Sequence, residues 1–298
     1  MKHLIQQDCP DFVAPALMPD GKVNMAFQLS EHLAGQYGVL FFFPLDFNYI
    51  SLTELLSLQK RLAEFSAVNA SILGISCDSH LAHRAWQHTS RTQDGIGPLG
   101  FPVVADMTHG VARLFDVLVA EAMPEAATII VDRENKIIFQ MRHDTAVGRN
   151  IDRILGAIKV FENEGDAPTA PVDQILLVEK IAPKLRQLGY RIFAQSVDTD
   201  FAHPQWKRLP RGSDGQPKLS FPFITGEYEW PKQSGMTVAV REGLAFHSAG
   251  LLMPDGQLLF EGHMDRHIPR DFSEMLRIAD AVQHHFKTGE VVPWEIPV

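Results

Sequence analysis

The sequence contains little cysteine, an excess of acidic over basic residues and no long apolar run. Two cysteines in 298 residues are too few for a disulfide framework, which suits a reducing compartment. With 27 Lys and Arg against 36 Asp and Glu, the formal net charge is -9, which disfavours nucleic acid and anionic membranes as partners. The N-terminus lacks the apolar core of a secretion signal, and no stretch approaches the roughly 18 apolar residues of a membrane span. We therefore expect a cytoplasmic protein that does not enter the membrane.

Short apolar runs alternate with amphipathic stretches through the first half, a pattern that predicts an α/β fold with a mainly parallel sheet. Val39–Phe43 and Ile72–Ile75 are continuous apolar runs, typical of central strands covered on both faces. Between them, helical spacing predicts one helix on Leu55, Leu58, Leu62 and Phe65. A hairpin is predicted from Thr128–Val131 and Lys136–Phe139, followed by a helix that begins at Ile151.

The second half repeats the first. D-S-H-L-A-H-R-A-W, from Asp78 to Trp86, returns 120 positions later as D-T-D-F-A-H-P-Q-W, from Asp198 to Trp206. A segment rich in Gly, Pro and acids precedes the repeat and has the composition of a linker. The sequence therefore predicts a first unit, a linker and a duplicated second unit, at residues 1–163, 164–171 and 172–298.

The second copy is shorter than the first. Downstream the offset becomes 121, where V-G-R-N-I-D at Val147–Asp152 matches I-P-R-D-F-S at Ile268–Ser273. At the start of the repeat Gln174 matches Glu54, and nothing corresponds to residues 1–53. The second copy therefore lacks a counterpart of the strand Val39–Phe43. Apolar residues from Phe272 onward predict a final helix.

Several phrases of the first copy stand together in an order that identifies a family. They are Pro10–Phe12, Met18–Gly21, Phe41–Phe47, Asp78–His80 with Trp86, Phe101–Asp106 and Val147–Arg149. In these phrases the chain resembles the typical two-cysteine peroxiredoxins, the alkyl hydroperoxide reductase C and thiol-specific antioxidant family. The resemblance implies a thioredoxin-like sheet flanked by helices, followed here by a truncated thioredoxin-like repeat.

The same resemblance implies a peroxide-reducing thiol chemistry, and most of its residues are replaced. The family uses a thiolate at the start of a helix, activated by a threonine and an arginine and released by a resolving cysteine. Pro44 is retained from this pocket. At the positions of the threonine and the nucleophile this chain has Asn48 and Ser51, and Leu52 replaces the proline that follows the nucleophile. Ala126 stands at the arginine position and Val292 at the resolving-cysteine position. A serine cannot form a sulfenic acid, so we expect the peroxidase reaction to be lost.

Three functions remain open. The first is a pseudoenzyme that binds a protein partner or takes part in assembly. The second is a thiol-dependent peroxidase that uses a relocated cysteine, Cys9 or Cys77, although we expect Cys77 to be buried and Cys9 exposed. The third is an enzyme of another class that works from the old pocket at Pro44, Asn48 and Ser51. The third would need a ligand near these residues; no cofactor and no metal site are predicted.

Several other residues have a competing structural interpretation. His83 and His203 occupy equivalent repeat positions, where we expect structural helix residues and not a metal pair. For His263 and His267, and for His284–His285, we expect a solvated surface.

Two features of the second copy suggest interactions with other proteins. The segment Gly226–Lys232 has no match in the first copy, so Tyr228 and Trp230 are our candidates for partner binding. Family members pair through sheet edges, and a fused second copy could imitate such a dimer inside one chain. We therefore predict self-association or a protein partner, with an internal pseudo-dimer as a further hypothesis.

Overall fold

In the computed structural model of the protein, the described residues are 4–120, 122–162, 171–196, 219–225, 240–241, 244–245, 247–253, 258–265 and 267–295. The strands are β1 Val13–Leu17, β2 Val23–Gln28, β3 Tyr37–Phe42, β4 Ala70–Ser76, β5 Val103–Ala105, β6 Leu118–Val119, β7 Met123–Pro124, β8 Ala126–Val131, β9 Ile137–His143, β10 Ala194–Ser196, β11 Phe223–Thr225, β12 Val240–Arg241, β13 Leu244–Ala245, β14 His247–Leu252 and β15 Leu258–Met264. The helices are α1 Leu29–Leu33, α2 Tyr49–Lys60, α3 Leu62–Ala67, α4 His80–His88, α5 Gly110–Leu114, α6 Ile151–Glu162, α7 Pro171–Gln187 and α8 Phe272–Thr288.

The main sheet has nine strands in the order β14-β15-β9-β8-β3-β4-β5-β1-β2. Only β3, β4 and β5 pair in parallel at its centre, where α2, α3 and α4 make the crossovers. The expectation of a mainly parallel sheet is therefore wrong, since short connections turn β1–β2, β8–β9 and β14–β15 into antiparallel hairpins. The predicted α/β class, the hairpin β8–β9 and the helices α6 and α8 are confirmed.

Both faces of the central strand are buried. Along β3, Val39 and Phe41 belong to one hydrophobic cluster, together with residues of α2, α6 and α8. Leu40 and Phe42 belong to a second cluster on the opposite face, together with residues of β1 and α5. A strand covered on both faces cannot alternate polar and apolar residues, which explains the continuous apolar run of β3.

The single helix predicted between the first two parallel strands is wrong. The chain forms α2 and α3 with a break at Arg61, whose side chain forms ion pairs with Glu64 and Asp152. The apolar spacing gives no sign of this break, because Leu58 and Phe65 are buried on either side of it.

The second half contains pairings whose residue numbers parallel those of the first half. β10 and β11 pair in parallel, Ala194 with Phe223, which is 120 residues beyond the β4–β5 pair of Gly74 with Val103. The backbone N–H of Ala194 donates to Pro222 O at 3.1 Å, and that of Gly74 donates to Pro102 O at 3.0 Å. β14 and β15 lie 121 residues beyond β8 and β9 and form the same type of antiparallel hairpin.

The C-terminal segment returns to the first half. Val292 forms a parallel bridge with Val147, donating its N–H to Ala146 O at 2.8 Å and accepting from Gly148 N–H at 2.8 Å. Trp294 packs against the core cluster that contains Val39 and Phe41, and its ring lies 5.1 Å from the Arg277 guanidinium. The tail is therefore anchored to the loop between β9 and α6.

Some predicted features fall outside the described residues. These are residues 163–170 of the predicted linker, His203, Trp206 and the segment 226–232 with Tyr228 and Trp230. Pro171, the last residue assigned to the linker, begins α7. Within the described part of the chain, every helix is too short or too polar to cross a membrane.

Gly148 tests the anchoring of the tail. A Cβ at this position would collide with the backbone nitrogen of Trp294, so Gly148→Ala should displace the tail and lower the free energy of unfolding by about 1–3 kcal/mol. Amide hydrogen exchange should then accelerate at Val292. In the control Gly156→Ala, within α6, an added Cβ meets nothing within 4 Å, so this change should stabilise by about 0.5–1 kcal/mol. Unchanged exchange at Val292 in the Gly148 variant would contradict the anchoring.

Candidate functional site

Ser51 lies in the first turn of α2 and is completely buried. Asn48 caps this helix, and its side-chain oxygen accepts the Ser51 N–H at 3.0 Å. The Ser51 hydroxyl donates to the same oxygen at 3.3 Å. An amide oxygen is not a base that can remove the hydroxyl proton, so this contact leaves Ser51 a weak nucleophile.

The other predicted pocket positions lie around the end of β3. Pro44 is buried two residues beyond the strand, and Ala126 begins β8, whose next residue pairs with Phe42 of β3. Ala126 is 1% exposed and contributes only a methyl group. Leu52 and Val292 both pack against the core cluster of α2 and α6. The structure therefore places apolar side chains at the positions that the resemblance assigns to an arginine and a resolving cysteine.

Sequence reasoning missed the charged pair beside this pocket. Arg149 and Glu54 are 0% and 1% exposed, and two parallel hydrogen bonds join them: Nε to Oε1 at 2.9 Å and Nη2 to Oε2 at 2.7 Å. Glu54 Oε1 also accepts the Arg149 backbone N–H at 2.7 Å. Arg149 Nη1 donates to Phe42 O at 2.8 Å and to Ala127 O at 2.7 Å, and the guanidinium lies 3.4 Å from the Phe41 ring centroid. One signal was available for Glu54, which stands four residues from both Ile50 and Leu58 and therefore lies on the apolar face of the predicted helix.

A second buried pair links the loop after β3 to α4. His83 is 1% exposed; its Nδ1 lies 2.8 Å from Asp46 Oδ2 and its Nε2 lies 3.2 Å from Val104 O. Burial raises the pKa of Asp46, and the hydrogen bond from His83 partly offsets this effect. With both ring nitrogens occupied, His83 has a structural role in α4, as its position in the sequence repeat suggested.

Both cysteines have raised pKa values, and the exposure of each differs from the prediction. The prediction that Cys9 is exposed is wrong: it is 4% exposed, because its backbone N–H pairs with Asn135 O and its side chain enters the core beside Phe12. Burial, and then the Asp11 carboxylate, raise the pKa of Cys9 to about 12. Cys77 is half-exposed at the end of β4, not buried as predicted. Burial of its sulfur, and then nearby carboxylates, raise the pKa of Cys77 to about 12.

Among the histidines of the second half, His263 is not on the solvated surface where we expected it, whereas His284 is exposed as expected. His263 lies inside β15 and is completely buried, with Nε2 2.9 Å from Glu261 Oε1 and Nδ1 2.9 Å from Ser248 Oγ. The error arose because the strand continues to Met264. His267 Nδ1 lies 2.6 Å from Asp265 Oδ1. His284 and His285 are on the surface and contact Glu290. No cluster of three or more metal-binding side chains occurs among the described residues.

Glu54→Gln tests how much the buried pair stabilises the fold. The substitution keeps the shape of the side chain but leaves the Arg149 charge without its partner, so we expect the free energy of unfolding to fall by about 3–5 kcal/mol. Urea unfolding followed by circular dichroism measures the loss. The matched control is Glu64→Gln, which removes an exposed ion pair with Arg61 and should shift the midpoint far less. Equal shifts of the unfolding midpoint in the two variants would show that the buried pair stabilises the fold no more than the exposed pair does.

Comparison with known proteins covers the first half of the chain. Residues 5–140 match the model of the AhpC/TSA family. Alkyl hydroperoxide reductase C of Helicobacter pylori is 35% identical over 166 residues, which are 55% of this chain and 84% of that protein. Peroxiredoxin-1 of Gallus gallus is 37% identical over 163 residues, 54% of this chain and 80% of that protein.

Solved structures give the same result. One solved structure is that of Plasmodium yoelii Prx1a, described as forming an artifactual octamer when modified at the N-terminus. It superposes on this chain with a TM-score of 0.52 and a sequence identity of 30%. The match covers 56% of this chain and 96% of that one. The chain belongs to the AhpC/TSA family of peroxiredoxins.

Proposed function

We propose that the protein is a pseudoenzyme on a peroxiredoxin scaffold, which binds a protein partner or takes part in assembly and does not reduce peroxides. The observation that carries this proposal is the environment of Ser51. Its hydroxyl contacts the Asn48 amide oxygen, and a methyl group stands at position 126. A peroxide held here would meet neither a sulfur atom nor the arginine that the family resemblance assigns to this position.

The alternative, a peroxidase that uses a relocated cysteine, has less support. With a pKa of about 12, each thiol is ionised to only about one part in 100,000 at pH 7. The thiolate is the species that attacks peroxide, so both cysteines are chemically disfavoured. An enzyme of another class is also disfavoured, because the partner of the Ser51 hydroxyl is an amide and not a base.

We also propose the domain organisation predicted from the repeat, with units at residues 1–163 and 172–298. The equal registers of β4–β5 and β10–β11, displaced by 120 residues, support a common origin. A further parallel supports it: Arg149 contacts Glu54, and the matching Arg270 donates to Gln174 Oε1 at 3.2 Å.

The pairing of β9 with β15 supports an internal pseudo-dimer. Met141 lies opposite Gly262, and these positions are equivalent in the repeat. On either side, His143 pairs with Phe260 and Phe139 pairs with Met264, so the arrangement is symmetric about the central pair. An isologous interface has this property. Arg142 Nη2 adds an ion pair across the seam, 2.7 Å from Glu261 Oε2.

Self-association of whole chains and a cytoplasmic location remain parts of the proposal. The octamer named for the Plasmodium yoelii relative supports the capacity of this scaffold to assemble. The two cysteines suit a reducing compartment.

Peroxide consumption tests the pseudoenzyme. The purified protein with dithiothreitol and hydrogen peroxide should consume peroxide at the rate of a Cys9→Ala/Cys77→Ala double variant, because neither thiol is ionised appreciably. A ferrous-xylenol orange assay follows the loss of peroxide. A significantly faster rate for the unmodified protein would overturn the proposal in favour of a relocated cysteine.

Ser51→Cys, alone and with further substitutions, tests which of the replaced pocket residues are needed for reaction with peroxide. The single variant should form a sulfenic acid slowly, because the pocket still lacks an activating threonine and arginine. Adding Asn48→Thr, Leu52→Pro and Ala126→Arg should accelerate the reaction by about 100-fold or more, which mass spectrometry of dimedone adducts measures. Ser57→Cys, buried further along α2, is the matched control and should stay unreactive. If the restored variant reacts no faster than Ser51→Cys, the pocket has lost more than these side chains.

A further inference from the structure

The second unit has a sheet edge at the position where the first unit has its central strand. In the first unit β8 pairs with β9 on one side and with β3 on the other. Its counterpart β14 pairs with β15, and no strand among the described residues pairs with its other edge. All six residues of β8 are buried, whereas five of the six in β14 are only half-buried. The difference is the one expected where a neighbouring strand is missing.

The duplication explains why this strand is missing. Positions 120 residues beyond β3 fall within α6, which belongs to the first unit. β4 pairs with both β3 and β5, whereas β10 pairs with β11 alone among the described residues. Both strands that would flank a counterpart of β3 are therefore present, and the counterpart itself is not encoded.

Arg270 lies near His247, the first residue of β14, and its partner among the described residues is neutral where Arg149 has a carboxylate. In the first unit, Arg149 is neutralised by Glu54 and also donates to Phe42 O, at the last residue of β3. The equivalent Arg270 donates to the neutral amide of Gln174. Its Nε is buried without a hydrogen-bond partner in the described part of the chain. Burial without a carboxylate is costly for a guanidinium, and it lowers the pKa of Arg270 to about 10.

One type of ligand would supply both the strand that β14 lacks and the negative charge that Arg270 lacks among the described residues. A strand placed against β14 as β3 lies against β8 would run antiparallel to it and reach the arginine with its last residue. If the chain ended there, its terminal carboxylate would supply the missing negative charge. The rest of the strand should be apolar, because all six residues of β3 are buried. Pairing at a sheet edge gives affinity through backbone hydrogen bonds, and side-chain pockets give specificity.

We propose that the second unit binds the extended, apolar C-terminal segment of a partner protein, which adds a strand to β14 and places its terminal carboxylate on Arg270. This inference deepens the proposed binding role and rests on the proposed repeat. It does not depend on the outcome of the peroxide measurements, so the two can fail separately.

A peptide that carries the sequence of β3 tests the proposal with the full-length protein. The probe is fluorescein-labelled Lys-Lys-Gly-Ser-Tyr-Gly-Val-Leu-Phe-Phe, prepared with a free C-terminal carboxylate and, for comparison, with a C-terminal amide. Fluorescence anisotropy should show binding of the acid form and at least ten-fold weaker binding of the amide. A third peptide with proline in place of leucine lacks a backbone donor on the side that faces β8 in the parent strand, and it should bind at least ten-fold more weakly than the acid.

Variants of the protein test the contribution of the Arg270 charge to binding separately from the contribution of strand pairing. Gln174→Glu supplies an internal carboxylate for Arg270, so it should raise the melting temperature and weaken binding of the acid peptide at least ten-fold. Arg270→Gln should abolish the preference for the acid over the amide. The control Arg84→Gln removes an exposed arginine of α4 and should leave that preference unchanged.

Three results would overturn the proposal. They are no binding of the acid peptide, equal binding of acid and amide, and unchanged acid binding by Gln174→Glu. Occupation of the β14 edge by another part of the same chain, or by a second copy, would give the first of these results. If Arg270→Gln does not fold, the Gln174→Glu measurement decides alone, because that variant gains an ion pair.

Discussion

The fold of the first unit depends on a buried ion pair between Arg149 and Glu54. A guanidinium and a carboxylate removed from water are tolerated only when nearly all their hydrogen-bonding groups find partners. Arg149 meets this requirement by contacting α2 through Glu54, β3 through Phe42 O and β8 through Ala127 O. One side chain therefore joins the helix that begins beside Ser51 to two neighbouring strands of the sheet.

The residues that maintain the scaffold differ from those that would perform the family's chemistry. The pairs Arg149–Glu54 and His83–Asp46 satisfy buried charges and hydrogen bonds, so their loss would destabilise the protein. Asn48 caps α2, and small or apolar groups occupy positions 51, 126 and 292, so none of these four positions carries a buried charge that needs a partner. Substitutions there are therefore expected to cost the fold less than loss of either buried pair. This separation is the physical basis of the proposed pseudoenzyme.

In the second half, the pairing of strands at open sheet edges is the main structural constraint. An open edge exposes unpaired backbone N–H and C=O groups, which favour pairing with another strand. β15 covers the edge of β9, with Met141 opposite Gly262 at the centre of the seam. β14 is the terminal strand of the described sheet, and the described partner of Arg270 is a neutral amide. The proposed truncation of the repeat would account for both features.

The sequence by itself determined the family and the α/β class, because these depend on residue type and order along the chain. It also determined which residues, Ser51, Ala126 and Val292, stand at the positions on which the proposed loss of chemistry rests. It also indicated the repeat, since a constant offset needs no coordinates. Only the tertiary structure decided the burial of Cys9 and of His263, because each depends on segments distant in sequence that cover the side chain. The bonds between Glu54 and Arg149, and the pairing of β9 with β15, likewise join residues about 100 positions apart. Local sequence patterns predict the secondary structure of a segment. The partner of a buried charge or of a strand edge depends on which distant segments the tertiary fold brings next to it.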